Sequence, residues 1–439
     1  MESFEHWLEQ QYRRAAPAML RSVSPLELQK SRPGFGQSIR ASRGSIVASP
    51  VLAAYDPDPD YFFHWYRDSA VVIDALRLLF EDGLAPEAPR HFADFIRFGL
   101  ELRGLDGRAL AAKPSWRAII ASDFAKFVRD DADLASVHGD AVAADTRVNA
   151  DGTLDISRWA RPQHDGPALR ALAVLRWMHN VSTDATVASE AAKLLQADLH
   201  FAFAKARQPC FDIWEEDIGL HYYTLCVTGA ALEEGADWVA SSGNERDAHL
   251  YRTEAGEIRR TLDGFWRAEE GYYRSRILAS AERSPKELDI AVILAAIHAG
   301  GAGRTHTVRD QRMHATLARL EGLFDATYPI NHGRPAGTGP AMGRYPGDVY
   351  YSGGAYYFST LGAAEFCYRA ALANESSGNW VQRGDAYMAT VRTYTPASGD
   401  MSEQFDQRTG AQTSAKHLAW SYAAFISCVA ARRAALGRS

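Results

Sequence analysis

Apolar residues along this chain recur at helical spacing, starting with Phe4, Leu8 and Tyr12 at i, i+4 intervals and continuing through most of its length. After Ser182-Thr183-Asp184, which offers cap residues, Val187, Ala191, Leu194 and Leu195 form one stripe. That pattern predicts an amphipathic helix on the outside of the fold. The segment Ala168-Leu169-Arg170-Ala171-Leu172-Ala173-Val174-Leu175 is apolar almost all round, which predicts a helix buried on several sides. Extending this reading predicts about a dozen helices, near 3–20, 67–82, 88–103, 166–179, 185–206, 219–239, 246–266, 285–298, 307–326, 355–374, 377–393 and 414–434. Strand-like alternation is scarce, and no short repeat, low-complexity tract or domain-separating linker interrupts the series. An all-α fold follows, and an even number of helices suits two paired layers.

Gly, Pro, Asp and aromatic residues concentrate in five connections, 50–68, 147–167, 208–219, 329–354 and 394–413, each just ahead of a predicted helix. Loops on a rigid scaffold commonly carry chemistry. If these five gather at one end of a helical barrel, they line a single pocket. Formal net charge is -6 with Lys and Arg scattered, so there is no footprint for a phosphate backbone or an anionic membrane, and a neutral substrate fits better. The first twenty residues place acids early with no apolar core after them, unlike a signal peptide. No run is long and apolar enough to span a bilayer. Four widely spaced cysteines, Cys210, Cys226, Cys367 and Cys428, read as buried thiols, and together these features predict a cytoplasmic protein.

Three stretches are suited to acid/base or sugar chemistry. In Phe211-Asp212-Ile213-Trp214-Glu215-Glu216-Asp217, three consecutive acids follow a tryptophan at the predicted start of a helix. Like charges and an apolar neighbour oppose ionisation, so one carboxyl there is a candidate general acid; an acidic first helical turn facing the helix dipole is the plainer reading. Gly399-Asp400-Met401-Ser402-Glu403-Gln404-Phe405-Asp406 is a polar loop in which a carboxylate can act as base on water, or simply be solvated. Tyr61-Phe62-Phe63-His64-Trp65-Tyr66-Arg67-Asp68 ends an aromatic run in an adjacent Arg and Asp, an arrangement suited to apolar sugar faces and directional hydroxyls as well as to a structural ion pair. No HExxH, Walker loop or GxSxG occurs and the histidines lack metal-ligand spacing, so metal, nucleotide and serine-hydrolase chemistries have little support.

Taken in order, the fragments Ile46-Val47-Ala48-Ser49-Pro50, Trp65-Tyr66-Arg67-Asp68-Ser69-Ala70, Arg161 to Arg170 (RPQHDGPALR), Asp212-Ile213-Trp214-Glu215-Glu216, Gly343-Arg344-Tyr345-Pro346-Gly347-Asp348, Met401-Ser402-Glu403-Gln404 and Trp420-Ser421-Tyr422-Ala423-Ala424 resemble the catalytic domain of the glucoamylase family of glycoside hydrolases. The resemblance implies one (α/α)6 barrel over residues 1–439, six inner and six outer helices with a dead-end pocket at one end, without a starch-binding module or an N-terminal β-sandwich. It implies an inverting exo-acting α-glucosidase that releases β-glucose from short α-1,4 or α-1,6 gluco-oligosaccharides, with Glu215 as general acid and Glu403 as general base. By the same resemblance Arg67 and Asp68 bind outer hydroxyls of the terminal glucose, Trp65 and Tyr61 are pocket aromatics, Trp159, Trp214, Glu216 and Arg344 hold the terminal and second sugars, and Gln163 and Asp348 give polar support. No cofactor or metal is required for that chemistry. The chain departs from the family pattern at Phe63, His64, Tyr66 and Gly347, changes expected to bear on the outer subsites and on linkage preference. A trehalase of the same family, or a barrel that only senses carbohydrate, are the competing readings.

Overall fold

The computed structural model describes residues 3–55, 57–113, 115–301, 303–373 and 379–437. Among these, twelve helices of nine residues or more carry the architecture: α1 (Phe4–Leu20), α2 (Tyr66–Glu81), α3 (Ala88–Leu102), α4 (Asp165–Asn180), α5 (Ala185–Lys205), α6 (Tyr222–Ser241), α7 (Glu245–Asp263), α8 (Ala291–Ala299), α9 (Gln311–Thr327), α10 (Tyr357–Ala373), α11 (Trp380–Tyr394) and α12 (Ala419–Ala435). The even-numbered helices form a closed ring, each packing on the next and α12 returning to α2, while odd-numbered helices pack against the outside of that ring. This is an (α/α)6 barrel, six helices within six. Every helix stands where the hydrophobic pattern predicts one, with the predicted ends at 374 and 377 lying outside the described residues.

The two layers follow from the patterns that foretold them. In α4 every side chain from Asp165 to Val174 is buried, as its all-round apolar sequence requires for an inner helix. In α5 the stripe Val187, Ala191, Leu194 and Leu195 is buried, and full burial of each leucine contributes about 1.5–3 kcal/mol. Asp184 caps α5, accepting from the backbone N–H of Thr186 and Val187. Replacing Asp184 by Ala should cost about 1 kcal/mol in chemical denaturation with no change in the slope of the transition.

The pattern overextends several helices toward their N-termini. Segments expected to open helices at 219 and 355 instead contain short antiparallel strands, Cys210–Phe211 with Ile218–His221 and Arg276–Leu278, and Ala355–Tyr356 with Gln404–Phe405 and Gln412–Thr413, while the helix expected from 414 begins at Ala419. A further pair joins Phe63–Trp65 to Arg147–Asn149 just before α2. Strands of two to four residues are too short to show a period of two, and apolar residues within them were absorbed into the neighbouring helical pattern. These pairs carry the connections back across one end of the barrel. The stretch between α3 and α4 adds short helices at Gly107–Ala111, Ser115–Ala118 and Asp131–Ser136 around a small core of Phe35, Trp116, Val128, Leu134 and Ile156.

Candidate active site

At the N-terminal ends of the inner helices, all five polar connections meet around one cavity of about 250 Å3. That volume lies just below the usual range of ligand pockets, about 300 to 1,000 Å3. It suits one sugar ring better than a length of polymer. Tyr61, Trp65, Arg67, Asp68, Trp159, Trp214, Glu215, Glu216, Arg344 and Glu403 line it, joined by Tyr350, Phe358 and Trp420, which site reasoning from sequence had not singled out as lining residues. Gln163 and Asp348 stand one step behind: Gln163 accepts from Arg67 Nη1 at 3.0 Å, and Asp348 takes Arg344 in a bidentate pair with both contacts at 2.7 Å.

Glu215 occupies a tight turn between the strands Cys210–Phe211 and Ile218–His221, not the first turn of a helix as the pattern predicted. Its φ of 66° lies in the left-handed region, which costs a non-glycine residue of order 1–3 kcal/mol and persists only when its surroundings hold it. Asp212 does the holding. Its carboxylate accepts from the backbone N–H of Trp214 at 3.1 Å and of Glu216 at 2.9 Å, and its carbonyl accepts from Glu215 N at 3.0 Å. The turn aims the Glu215 carboxylate into the cavity, where Oε1 accepts from Trp65 Nε1 at 2.8 Å and Arg67 Nη2 at 3.1 Å, and Oε2 accepts from Trp159 Nε1.

The three consecutive acids do not crowd one another, because each turns to its own donors. Glu216 accepts from Lys286 Nζ at 2.7 Å, Tyr345 Oη at 2.6 Å and Arg344 Nη2 at 3.1 Å. Asp217 pairs with Arg276 at 2.6 Å. Arg276, fully buried, also reaches Asp212 at 2.7 Å and Asp289 at 2.6 Å, and Asp289 accepts the indole N–H of Trp214 at 2.9 Å. Lys286, Arg276 and Asp289 therefore brace the wall of the site although they belong to no motif; Asp289 falls inside a helix predicted from 285 that in fact begins at Ala291.

Arg67 sits at the start of α2, within 3.5 Å of Asp68 and 3.6 Å of Asp165 at the first turn of α4. Gly166 makes this approach possible, since a Cβ there would stand 2.5 Å from Tyr66 Cβ. Burial lifts Asp68 to about 6, against the pull of Arg67. On the same cavity, Glu403 directly precedes the hairpin Gln404–Phe405/Gln412–Thr413 and is only 9% exposed. Burial raises its carboxyl to about 7, with the Ser414 hydroxyl, which donates to Oε2, opposing the shift. Phe358 and Trp420, parallel at 4.4 Å, form the floor.

The departures at Phe63, His64 and Tyr66 lie outside this lining. His64 is buried, accepts the Ile46 N–H at 3.0 Å through Nδ1 and packs on Phe98; burial lowers its imidazole to about 3, so it is neutral. Tyr66 lies under Arg170, and Phe63 packs beneath Trp65. Gly347 also lies off the lining, in the left-handed region at φ 74°. Phe63, His64 and Tyr66 pack behind the lining. The four cysteines are buried and free, and among the described residues no His/Cys/Asp/Glu group has metal-binding geometry and no helix is long and apolar enough to cross a membrane.

A family model described as glycosyl hydrolases family 15 matches residues 145–382 and 379–430. A probable glucoamylase of Schizosaccharomyces pombe is 26% identical over 99% of this chain and 93% of its own length. Glucoamylase 1 of Rhizopus oryzae is 24% identical over 98% of this chain and 71% of its own. Among solved structures, the family 15 glucoamylase from Hypocrea jecorina superposes with a TM-score of 0.80 at 27% identity, covering 98% of this chain and 72% of that one. The glucoamylase from Saccharomycopsis fibuligera, at 20% identity and a TM-score of 0.78, shares the fold over 100% of this chain and 97% of its own.

Proposed function

The chain belongs to glycosyl hydrolases family 15 and is a glycoside hydrolase acting on carbohydrate, and we propose that it is an inverting exo-α-glucosidase with Glu215 as general acid and Glu403 as general base. The observation that carries this reading is the pairing of the two carboxyls on one ring-sized cavity with an aromatic floor. A floored pocket receives a chain end, so the substrate presents its terminal non-reducing glucose and the remainder of a short α-gluco-oligosaccharide lies toward Trp159, 38% exposed at the mouth.

In this mechanism Arg67 and Asp68 hold outer hydroxyls of the terminal ring, and Trp65, Tyr61 and Trp214 pack against its C–H surfaces. Glu215 gives its proton to the glycosidic oxygen as the C1–O bond breaks. Glu403 takes a proton from water as the water oxygen bonds to C1 from the opposite face, and β-glucose leaves. This requires a carboxyl separation of about 6.5–9.5 Å, wide enough for the water, in contrast to about 5–5.5 Å for a retaining pair. Glu216 and Arg344, fixed by Lys286, Tyr345 and Asp348, receive the second sugar.

The test is an activity panel of purified protein on maltose, isomaltose, longer homologues of each, trehalose and dextran. Glucose release from maltose- or isomaltose-type oligosaccharides, faster than from dextran, is expected. Turnover of trehalose alone rejects the linkage class, and no turnover of any of them rejects the catalytic reading.

A further inference from the structure

Beneath the floor of the catalytic pocket the barrel axis holds a second cavity of about 290 Å3, slightly larger than the first. Phe358 and Trp420 line both, so the same stacked ring pair forms the floor of one and the ceiling of the other. The second cavity runs along the later turns of α2, α4, α10 and α12 toward the far end of the barrel, where Leu372 is 65% exposed. Alanines on facing helices, among them Ala70, Ala173 and Ala431, leave the axis unfilled.

Its chemistry repeats that of the pocket above. There, α2 supplies the adjacent Arg67 and Asp68 beside aromatic faces; here, three residues apart on the same helix, Arg77 and Asp74 pair at 3.0 Å, and Arg176 meets Asp74 at 2.7 Å. On the opposite wall Arg369 pairs with Glu365 at 2.6 Å, and the Ser427 hydroxyl donates to Glu365. His298 engages Tyr223 Oη through Nδ1 at 2.6 Å, and its Nε2 has no partner among the described residues. The carboxylates here are already matched by arginines, so a bound ion would have to break a pair. A neutral molecule with many hydroxyls can instead use the spare N–H groups, the spare lone pairs and the free imidazole nitrogen while its apolar face lies on the rings.

We propose that this axial cavity is a second binding site for a neutral monosaccharide-sized polyol, separate from the catalytic pocket and backed by the shared Phe358–Trp420 pair. Glucose is the natural probe. Crystals of the full chain soaked in glucose should show a ring in this cavity within hydrogen-bond distance of Arg369, Glu365 or His298. In solution, equilibrium binding of labelled glucose should saturate at two rings per chain in the parent. Ala431→Phe, which fills the cavity, should reduce this to one. Arg369→Lys, which keeps the charge beside the buried Glu365 but loses the planar fork of donors, should weaken one of the two sites by about tenfold or more. Initial rates on oligosaccharide should stay within about twofold in both variants. No ring in the axial cavity of the soaked crystals, or two rings per chain with unchanged affinity in both variants, overturns the proposal. A ring in the axial cavity with none in the upper pocket would instead count against the catalytic reading and leave this one standing.

Discussion

Glu215→Gln lowers kcat on a maltose- or isomaltose-type substrate by about 10² to 10⁴, the usual contribution of a general acid. The amide keeps the size of the side chain and one acceptor oxygen for Trp65 and Arg67, so the turn held by Asp212 remains and the fold survives. What is lost is the proton for the departing sugar oxygen. Substrates whose leaving group needs no proton, such as an α-glucosyl fluoride, should recover most of the lost rate, whereas natural oligosaccharides should not. Equal loss on both kinds of substrate would contradict the assignment and point to Glu215 as a binding residue only.

Glu403→Gln should reduce kcat by a similar factor while making the protein more stable at high pH. In the folded chain the Glu403 carboxyl keeps its proton up to about pH 7, and in the unfolded chain only to about 4.5. Between those values the folded state carries the extra proton, so stability falls as pH rises; the cost is absent below 4.5 and complete above 7. At about 1.4 kcal/mol per pH unit it reaches about 3 to 4 kcal/mol, which the neutral amide avoids. Denaturation at pH 8 should show the variant more stable by that order, and at pH 4 nearly equal to the parent. The same ionisation sets the acid limb of the parent, with kcat/KM falling about tenfold per pH unit below 7 as the base is neutralised. A limb that lies near pH 4.5 would show that Glu403 is not the group whose ionisation governs the rate.

The barrel was legible because its helices are long. A helix such as α5, Ala185–Lys205, repeats its apolar stripe often enough for the spacing of Val187, Ala191, Leu194 and Leu195 to be unambiguous. Connections carry no such periodicity. The hairpin around Glu215 rests on the left-handed backbone of one residue and on the Asp212 side chain, neither of which leaves a pattern in composition. Adjacency along the chain is a poor guide to charge crowding in the fold for a related reason. Repulsion among Glu215, Glu216 and Asp217 looks inevitable along the chain, yet Arg67, Arg344, Lys286 and Arg276 arrive from four other segments and give each carboxylate a partner. Burial raises the carboxyl of Glu403, whose own loop offered the weakest local signal.

Sequence order grouped residues that the fold brings to one cavity. Ten of the twelve expected residues line the cavity, and Gln163 and Asp348 support two of them, which is the outcome of matching ordered fragments across the chain. The bracing residues Arg276 and Asp289 escaped because they act on Trp214 and Asp212 and not on the cavity itself.

The stereochemistry of the first turnover decides the central claim. Proton NMR of freshly mixed enzyme and oligosaccharide, recorded before mutarotation, should show the β anomer of glucose rising first, as attack by a water held at Glu403 on the face opposite Glu215 requires. Initial appearance of the α anomer would mean two displacements at C1, and would contradict the placement of a nucleophilic water between these two carboxyls.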